Sequence, residues 1–182
     1  MTNLWTYWEG YKPEWIDICL RSIKESCSSK CKFYLVTPEN IKDYVIINNI
    51  PDNYFKLKNA AHRADYVRAY LLSRYGGFYF DADTIGIRCP SIILDETRSY
   101  KKDIVYCRWL GKKPRIMNGY IYCKEGSALA HDWFNEVQKV LTEIDLDKGI
   151  GWTTLGETIL TKLLTEIDHF GNVRSYSKQE VP

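Results

Sequence analysis

The run from Tyr75 to Thr84, Tyr-Gly-Gly-Phe-Tyr-Phe-Asp-Ala-Asp-Thr, constrains this chain more than any other segment. Phe78, Tyr79 and Phe80 read as a short buried strand. Gly76 and Gly77 break the chain just before it. Upstream, Asn59–Tyr75 places Ala60, Ala64, Val67, Leu71 and Leu72 at helical spacing and is rich in the helix formers Ala, Leu and Arg. Gly76 is a natural stop for that helix. Asp81 and Asp83 follow the strand at once. Residues i and i+2 of an extended segment share one face, so both carboxylates can address one ligand. Two such close acids repel unless a cation lies between them, and Mg²⁺ or Mn²⁺ takes oxygen ligands and bridges carboxylates to phosphates. The plainer reading is an acidic turn capping the next element. Asp65 and Arg68, three apart on the helix, lie on one side of it and lead toward the same strand end. Alone, they would read as a surface ion pair.

The remaining chain alternates the two element types. Strands are expected at Asn3–Trp8, Lys32–Val36, Asp103–Arg108 and Ile116–Lys124. A helix opens at Pro13 and runs to about Ser26, with Trp15, Ile18, Cys19 and Ile23 on its apolar side. Thr37 and Pro38 predict the start of a short helix, as N-cap and first-turn residue. Ser127–Leu141 is amphipathic, with Leu129, Trp133, Phe134, Val137 and Leu141 inward, and Thr154–Ile167 is a further helix. This order predicts an α/β domain with a largely parallel central sheet flanked by helices. Ligands of such sheets bind outside the carboxyl ends of the strands, where Asp81 and Asp83 would lie.

Composition excludes several classes. With 182 residues there is room for one domain with a real core, spanning 1–182 as a whole or forming the N-terminal part of a longer polypeptide. A formal net charge of +2 gives no bulk attraction to nucleic acid or a membrane surface. No stretch approaches 18 apolar residues, and no charged-then-apolar leader opens the chain, so a cytoplasmic protein without a transmembrane segment is expected. The six cysteines, Cys19, Cys27, Cys31, Cys89, Cys107 and Cys123, form no Cys-x-x-Cys and read as reduced thiols. The 14 Tyr and 6 Trp are many, and most are expected to pack the core.

Ala64-Asp65-x-x-Arg68 followed by Leu72-x-x-Tyr75-Gly-Gly-x-Tyr79-x-Asp81-x-Asp83 resembles the core signature of the DXD-motif sugar transferases. These include the capsular polysaccharide synthesis transferases, the fungal initiating mannosyltransferases and, more distantly, the glucosyltransferase domains of clostridial toxins. The match is dense over residues 60–88. Leu4-Trp5-Thr-Tyr-Trp8-Glu-Gly10 resembles the family's first strand and nucleotide-binding turn. Ile116-Met-Asn118-Gly119 resembles its later Asn-bearing strand, and Gly156-x-x-x-Leu160-Thr161 its last helical motif.

The resemblance implies a GT-A-like, Rossmann-like fold and a nucleoside diphosphate sugar donor bound with Mn²⁺ or Mg²⁺. It implies Asp83 as the more direct metal ligand, with Asp81 near the ribose and the metal and Ala82 between them. Asp65 and Arg68 would hold the donor sugar. Asn118 would lie near sugar and metal, or else be a turn residue before Gly119. Trp5, with Tyr7 on the same strand, would meet the base, and stacking on Trp5 is the reason to favour UDP; the other reading of Trp5 is a buried strand residue. His62 reads as a packing residue. The acceptor would be a glycan hydroxyl, as in polysaccharide or glycoprotein glycan synthesis.

The family resembled is retaining and uses no dedicated base. This chain has Gly156-Glu157 where the family usually has Gly-Pro. Glu157, or Asp147, is therefore a candidate base for an inverting alternative, and Glu157 otherwise caps its helix. Two rivals remain at the sequence level. Phe78–Thr84 also suits the first motif of a haloacid dehalogenase-like phosphatase, with Asp81 as nucleophile and Asp83 as general acid, although about eighty residues precede it and no later paired-acid motif follows. The other rival is a non-catalytic module that binds nucleotide sugars.

Overall fold

The computed structural model describes residues 1–27, 29–96, 103–109, 115–166 and 173–177. In chain order the elements are β1 (Thr2–Tyr7), α1 (Glu14–Ser26), β2 (Cys31–Val36), α2 (Asp52–Lys56), α3 (Ala60–Tyr75) and β3 (Gly77–Phe80). There follow α4 (Ser91–Glu96), β4 (Ile104–Trp109), β5 (Arg115–Cys123), α5 (Ala128–Glu143), α6 (Ile159–Glu166) and β6 (Val173–Ser177). The strands form one sheet in the order β2-β1-β3-β5-β4-β6. β1 pairs in parallel with β2 and β3, and β4 with β6, while β5 is antiparallel to both β3 and β4. Five strands therefore share one direction and β5 alone is reversed, so the sheet is largely parallel as expected. No helix among the described residues is long and apolar enough to cross a membrane.

Helices cover both faces, and strand alternation sorts the core between them. Tyr79 on β3 and Trp5 and Tyr7 on β1 face a cluster built with α3 and α5, including Tyr66, Leu71, Trp133 and Leu141. Phe78, Phe80 and Leu4 face the other side, against Ile23 of α1 and Leu94 of α4. α3 begins at Asn59, whose side chain accepts from the Ala61 N–H, and stops at Gly76, whose φ of 60° suits glycine. The chain then enters β3 directly, in register with β1 through Leu4↔Phe78 and Trp5↔Tyr79. β3 pairs with β5 up to Phe80↔Tyr120, and the Asp81 N–H extends this ladder by donating to the Gly119 carbonyl at 2.9 Å. This fixes the acid-bearing turn beside β5.

Three local expectations change. α1 buries Ile16, Cys19, Leu20 and Ile23, whereas Trp15 and Ile18 are 54% and 48% exposed. The helix carries two overlapping apolar stripes, and the sheet takes the one with the aliphatic side chains. The region after β2 forms no helix at Thr37. Its N–H donates to Asn40 Oδ1, and a 3₁₀ turn follows at Ile41–Asp43. Asn40 thus closes a local turn that competes with a helix start. Finally, Thr154–Thr158 is π-helical and the α-helix starts only at Ile159, while Ile167 lies outside the described residues.

Candidate active site

A cleft of about 440 Å³ opens at the carboxyl ends of β1 and β3. The turn after β1 contributes Tyr7, Trp8 and Glu9, and the first turn of α1 contributes Trp15. Ala60, Ala61, Ala64, Asp65 and Arg68 of α3 form its back. Tyr79, Asp81, Ala82 and Asp83 come from β3 and its turn, Asn118 from β5, and Trp152, Thr153 and Glu157 from the segment before α6. The alanines matter because their small side chains leave room on a helix face that would otherwise fill the cavity.

Arg68 organises the centre. It is 4% exposed, and its Nη1 donates to Asp65 Oδ1 at 2.5 Å while its Nη2 donates to Asp81 Oδ1. The guanidinium also sits over the Tyr79 ring, 4.4 Å from its centroid. Asn118 Nδ2 donates to the same Asp65 oxygen at 2.9 Å. A buried Arg bridging two carboxylates is strongly held, because removing one partner strands an uncompensated charge. Burial nevertheless pushes the Asp65 carboxyl above the usual carboxylate range, against the opposing pull of Arg68.

Two glycines permit this packing. A Cβ on Gly156 would lie 2.1 Å from Asn118 Nδ2 and 2.7 Å from Asp65 Oδ1, and one on Gly119 would lie 2.1 Å from Asp81 Oδ2. The π-helical turn at Thr154–Thr158 presents bare backbone to the polar pair, a use of π geometry that recurs at functional sites. Glu157 lies inside that turn, so it does not cap α6 as the sequence suggested.

The structure thus brings Tyr7, Asp65, Arg68, Asp81, Ala82, Asp83, Asn118 and Glu157 to one cleft. It does not bring Trp5 there. Trp5 is 3% exposed, its Nε1–H donates to the Gly76 carbonyl at 2.9 Å, and its ring stacks on Tyr34 at 4.5 Å. Trp5 lies on the same face of β1 as Tyr7 but two residues further from the strand's carboxyl end, so it packs in the core, and the aromatic side chains at the cleft are instead Tyr7, Trp8 and Trp15. Asp147 is exposed in a 3₁₀ turn at Leu146–Lys148 and does not line the cleft. His62 is buried, with neither ring nitrogen hydrogen-bonded among the described residues, and its ring lies 6.3 Å from that of Trp152.

Sequence reading missed the pair that braces the cleft's other edge. Arg63 Nε donates to Glu9 Oε1 and Oε2 at 2.9 and 2.8 Å, and Tyr7 Oη donates to Glu9 as well. The Arg63 guanidinium holds the Glu9 carboxyl below its ordinary range. Burial, with the Glu9 hydrogen bond behind it, pushes the Tyr7 hydroxyl well up, so it stays a donor. The available signal was the position of Glu9 just past the end of β1 and of Arg63 two residues before Asp65. Asp83, by contrast, is exposed to the cleft. Among the described residues no three His, Cys, Asp or Glu side chains gather as a metal cage.

Comparison with known proteins fits this geometry. The glycosyltransferase PaToxG aligns with 91% of this chain and 69% of its own at 14% identity and a TM-score of 0.57, which establishes a shared fold. A197 from STIV aligns with 97% of this chain and 82% of its own, but its 9% identity and TM-score of 0.42 carry no argument. No curated protein matches. The family model of capsular polysaccharide synthesis proteins matches residues 1–130, a span that holds Asp65, Arg68, Asp81, Asp83 and Asn118, and the chain belongs to that family.

Proposed function

We propose that this protein is a metal-dependent glycosyltransferase that moves a sugar from a nucleoside diphosphate sugar to a glycan hydroxyl with retention of configuration. The observation that carries this reading is the Asp65–Arg68–Asp81 bridge, held by Asn118 beside the exposed Asp83 at the carboxyl end of a largely parallel sheet. Membership of the capsular polysaccharide synthesis family and a glycosyltransferase fold support it.

The oxygen donors Asp81 and Asp83 suit a hard cation that keeps waters and completes its shell with substrate phosphates, as Mn²⁺ or Mg²⁺ does. When bound, such an ion neutralises charge on the departing diphosphate. The chain's own residues do the rest. Asp65 accepts hydroxyl hydrogen bonds from the donor sugar, on the oxygen valence that Arg68 and Asn118 leave. Arg68 keeps Asp65 and Asp81 at fixed spacing, so the site needs no rearrangement as charge develops. The anomeric C–O bond to the diphosphate breaks with its electron pair going to the phosphate oxygen. The acceptor oxygen bonds to the anomeric carbon on the same face, and its proton passes to the leaving diphosphate. With Trp5 in the core the reason to favour UDP falls away; the base rests on the Trp8–Trp15 rim, and UDP-, GDP- and dTDP-sugars are tried side by side.

The test is thermal stabilisation by UDP-, GDP- and dTDP-sugars with and without Mn²⁺, for wild type and Asp83→Ala. A ligand at a hundred times its dissociation constant adds about 2.7 kcal/mol. A Mn²⁺-dependent shift with one nucleotide class, lost in Asp83→Ala while the unliganded melting temperature stays put, supports the donor site. Turnover of that donor separates an enzyme from a binding module. Absence of any shift across all three classes would refute the reading.

A further inference from the structure

The proposed reaction needs a second substrate, and the layout of α3 bears on where it would enter. Successive helical residues step about 100° around the axis. Ala60, Ala64, Arg68, Ala61 and Asp65 therefore sweep in that order across the back of the cleft. Arg63 projects past one end of this arc and is tied to Glu9, on the rim carrying Trp8. His62 projects past the other end, where it meets Trp152. Trp8 and Trp152 thus stand on opposite rims, with the Asp65–Arg68–Asp81 bridge between them. In the transferase reading, the rim that follows β1, next to the acid turn after β3, is the one assigned to the nucleotide. The donor sugar then lies toward Asp65, Asn118 and Gly156, and what stands beyond the sugar is the segment from Trp152 to Glu157.

Trp152 is 68% exposed although it lines the cleft. Beyond its contact with the His62 ring, this large aromatic side chain turns a flat apolar face to water at the mouth of a polar site. A hexopyranose matches it. One face of the ring carries axial C–H groups that pack on an indole, and its equatorial hydroxyls reach outward to polar neighbours such as Thr153 and Glu157.

We propose that Trp152 is the platform on which the pyranose ring of the acceptor glycan stacks, so that it sets acceptor rather than donor affinity. This assignment rests on the transferase reading above. The test uses the full chain, the donor identified by thermal shift, and methyl glucopyranosides, galactopyranosides and mannopyranosides as acceptors, with a serine-containing peptide for comparison. For the pyranoside that is used, Trp152→Ala is expected to raise the acceptor KM about tenfold or more. Trp152→Phe should recover most of that loss, and the donor KM should move less than about twofold. An unchanged acceptor KM in Trp152→Ala would overturn the assignment, as would donor and acceptor KM rising together. Donor hydrolysis by wild type with transfer to the peptide, or to no pyranoside, would also overturn it and leave the transferase reading standing. Neither hydrolysis nor transfer by wild type with any nucleotide sugar would remove both.

Discussion

Gly156→Ala isolates what the central bridge does. The added methyl would sit 2.1 Å from Asn118 Nδ2 and 2.7 Å from Asp65 Oδ1. Both atoms end short side chains, so they can swing away without moving backbone, and the collision is relieved by parting Asn118 from Asp65. A hydrogen bond to a charged group contributes about 1.5–3 kcal/mol. Against this, Ala at a position whose backbone it can adopt gains about 0.4–1 kcal/mol by limiting the unfolded chain. The net loss is about 1–2 kcal/mol, or a fall of about 2–8 °C in melting temperature for a chain of this size. The variant therefore folds. Its donor affinity should fall far more visibly, about tenfold, because Asp65 loses one of the two groups that aim it. Differential scanning fluorimetry gives the first number and the donor KM the second. The cycle with Asn118→Ala sharpens the test. If the methyl acts through Asn118, the double variant binds donor no worse than Asn118→Ala alone, a coupling that only neighbours show. Wild-type donor affinity in Gly156→Ala, or simple additivity in the double variant, would refute the reasoning.

Trp5→Phe should separate core from base binding. It deletes a buried hydrogen bond to Gly76 and leaves a cavity beside Tyr34, so a stability loss of about 2–4 kcal/mol in urea melts is expected with donor affinity unchanged. The Glu9–Arg63 pair should show in the pH dependence of stability. Its folded carboxyl titrates below the ordinary value near 4.3, so the stabilisation is fully present above that value and is lost as pH falls through the lower folded one. The stability difference between wild type and Glu9→Gln should be constant near neutrality and shrink below about pH 4 in acid denaturation curves.

What the sequence revealed is what lies close along the chain. The strand at Phe78–Phe80, the glycine break before it and the two acids after it fall within ten residues, and their geometry follows from local rules. The Asp65–Arg68 pair was legible as an i,i+3 neighbour, but its meaning was not. Read alone it suggested an exposed pair of little energetic weight. The structure buries it, because α3 turns straight into β3 and carries Arg68 onto Asp81. The choice between two apolar stripes on α1 lay with the sheet, so Trp15 was assigned inward and stands at the cleft instead. Trp5 and Trp8 were separable only once the register with β3 fixed which β1 side chains face the core. Trp152 carries no local signal, and Gly156 was legible as part of a motif but not in its role, since both roles depend on how the π-helical turn meets α3.

The charge around the cleft bears on the cation more directly than the motif does. Glu9, Asp65, Asp81, Asp83 and Glu157 line it, and Arg68 is the one Lys or Arg side chain among the described lining residues. Arg63 offsets Glu9 from outside the cavity, and the single charge of Arg68 is shared between Asp65 and Asp81. Among the described residues, a diphosphate entering this space therefore meets Asp65, Asp81 and Asp83 with no basic side chain but Arg68. A unit charge on the ligand about 5 Å from one unpaired carboxylate is repelled by about 3 kcal/mol at an effective dielectric constant of 20, which is more than a hundredfold in affinity. A divalent ion reverses that sign. Donor and ion then favour each other's binding by the same factor, since coupling between two ligands is reciprocal. Titrating the donor in EDTA and in Mn²⁺, and Mn²⁺ with and without donor, should return equal ratios. A donor that binds as tightly in EDTA would mean that the acids of this cleft do not face the phosphates, and the site would have to be turned around.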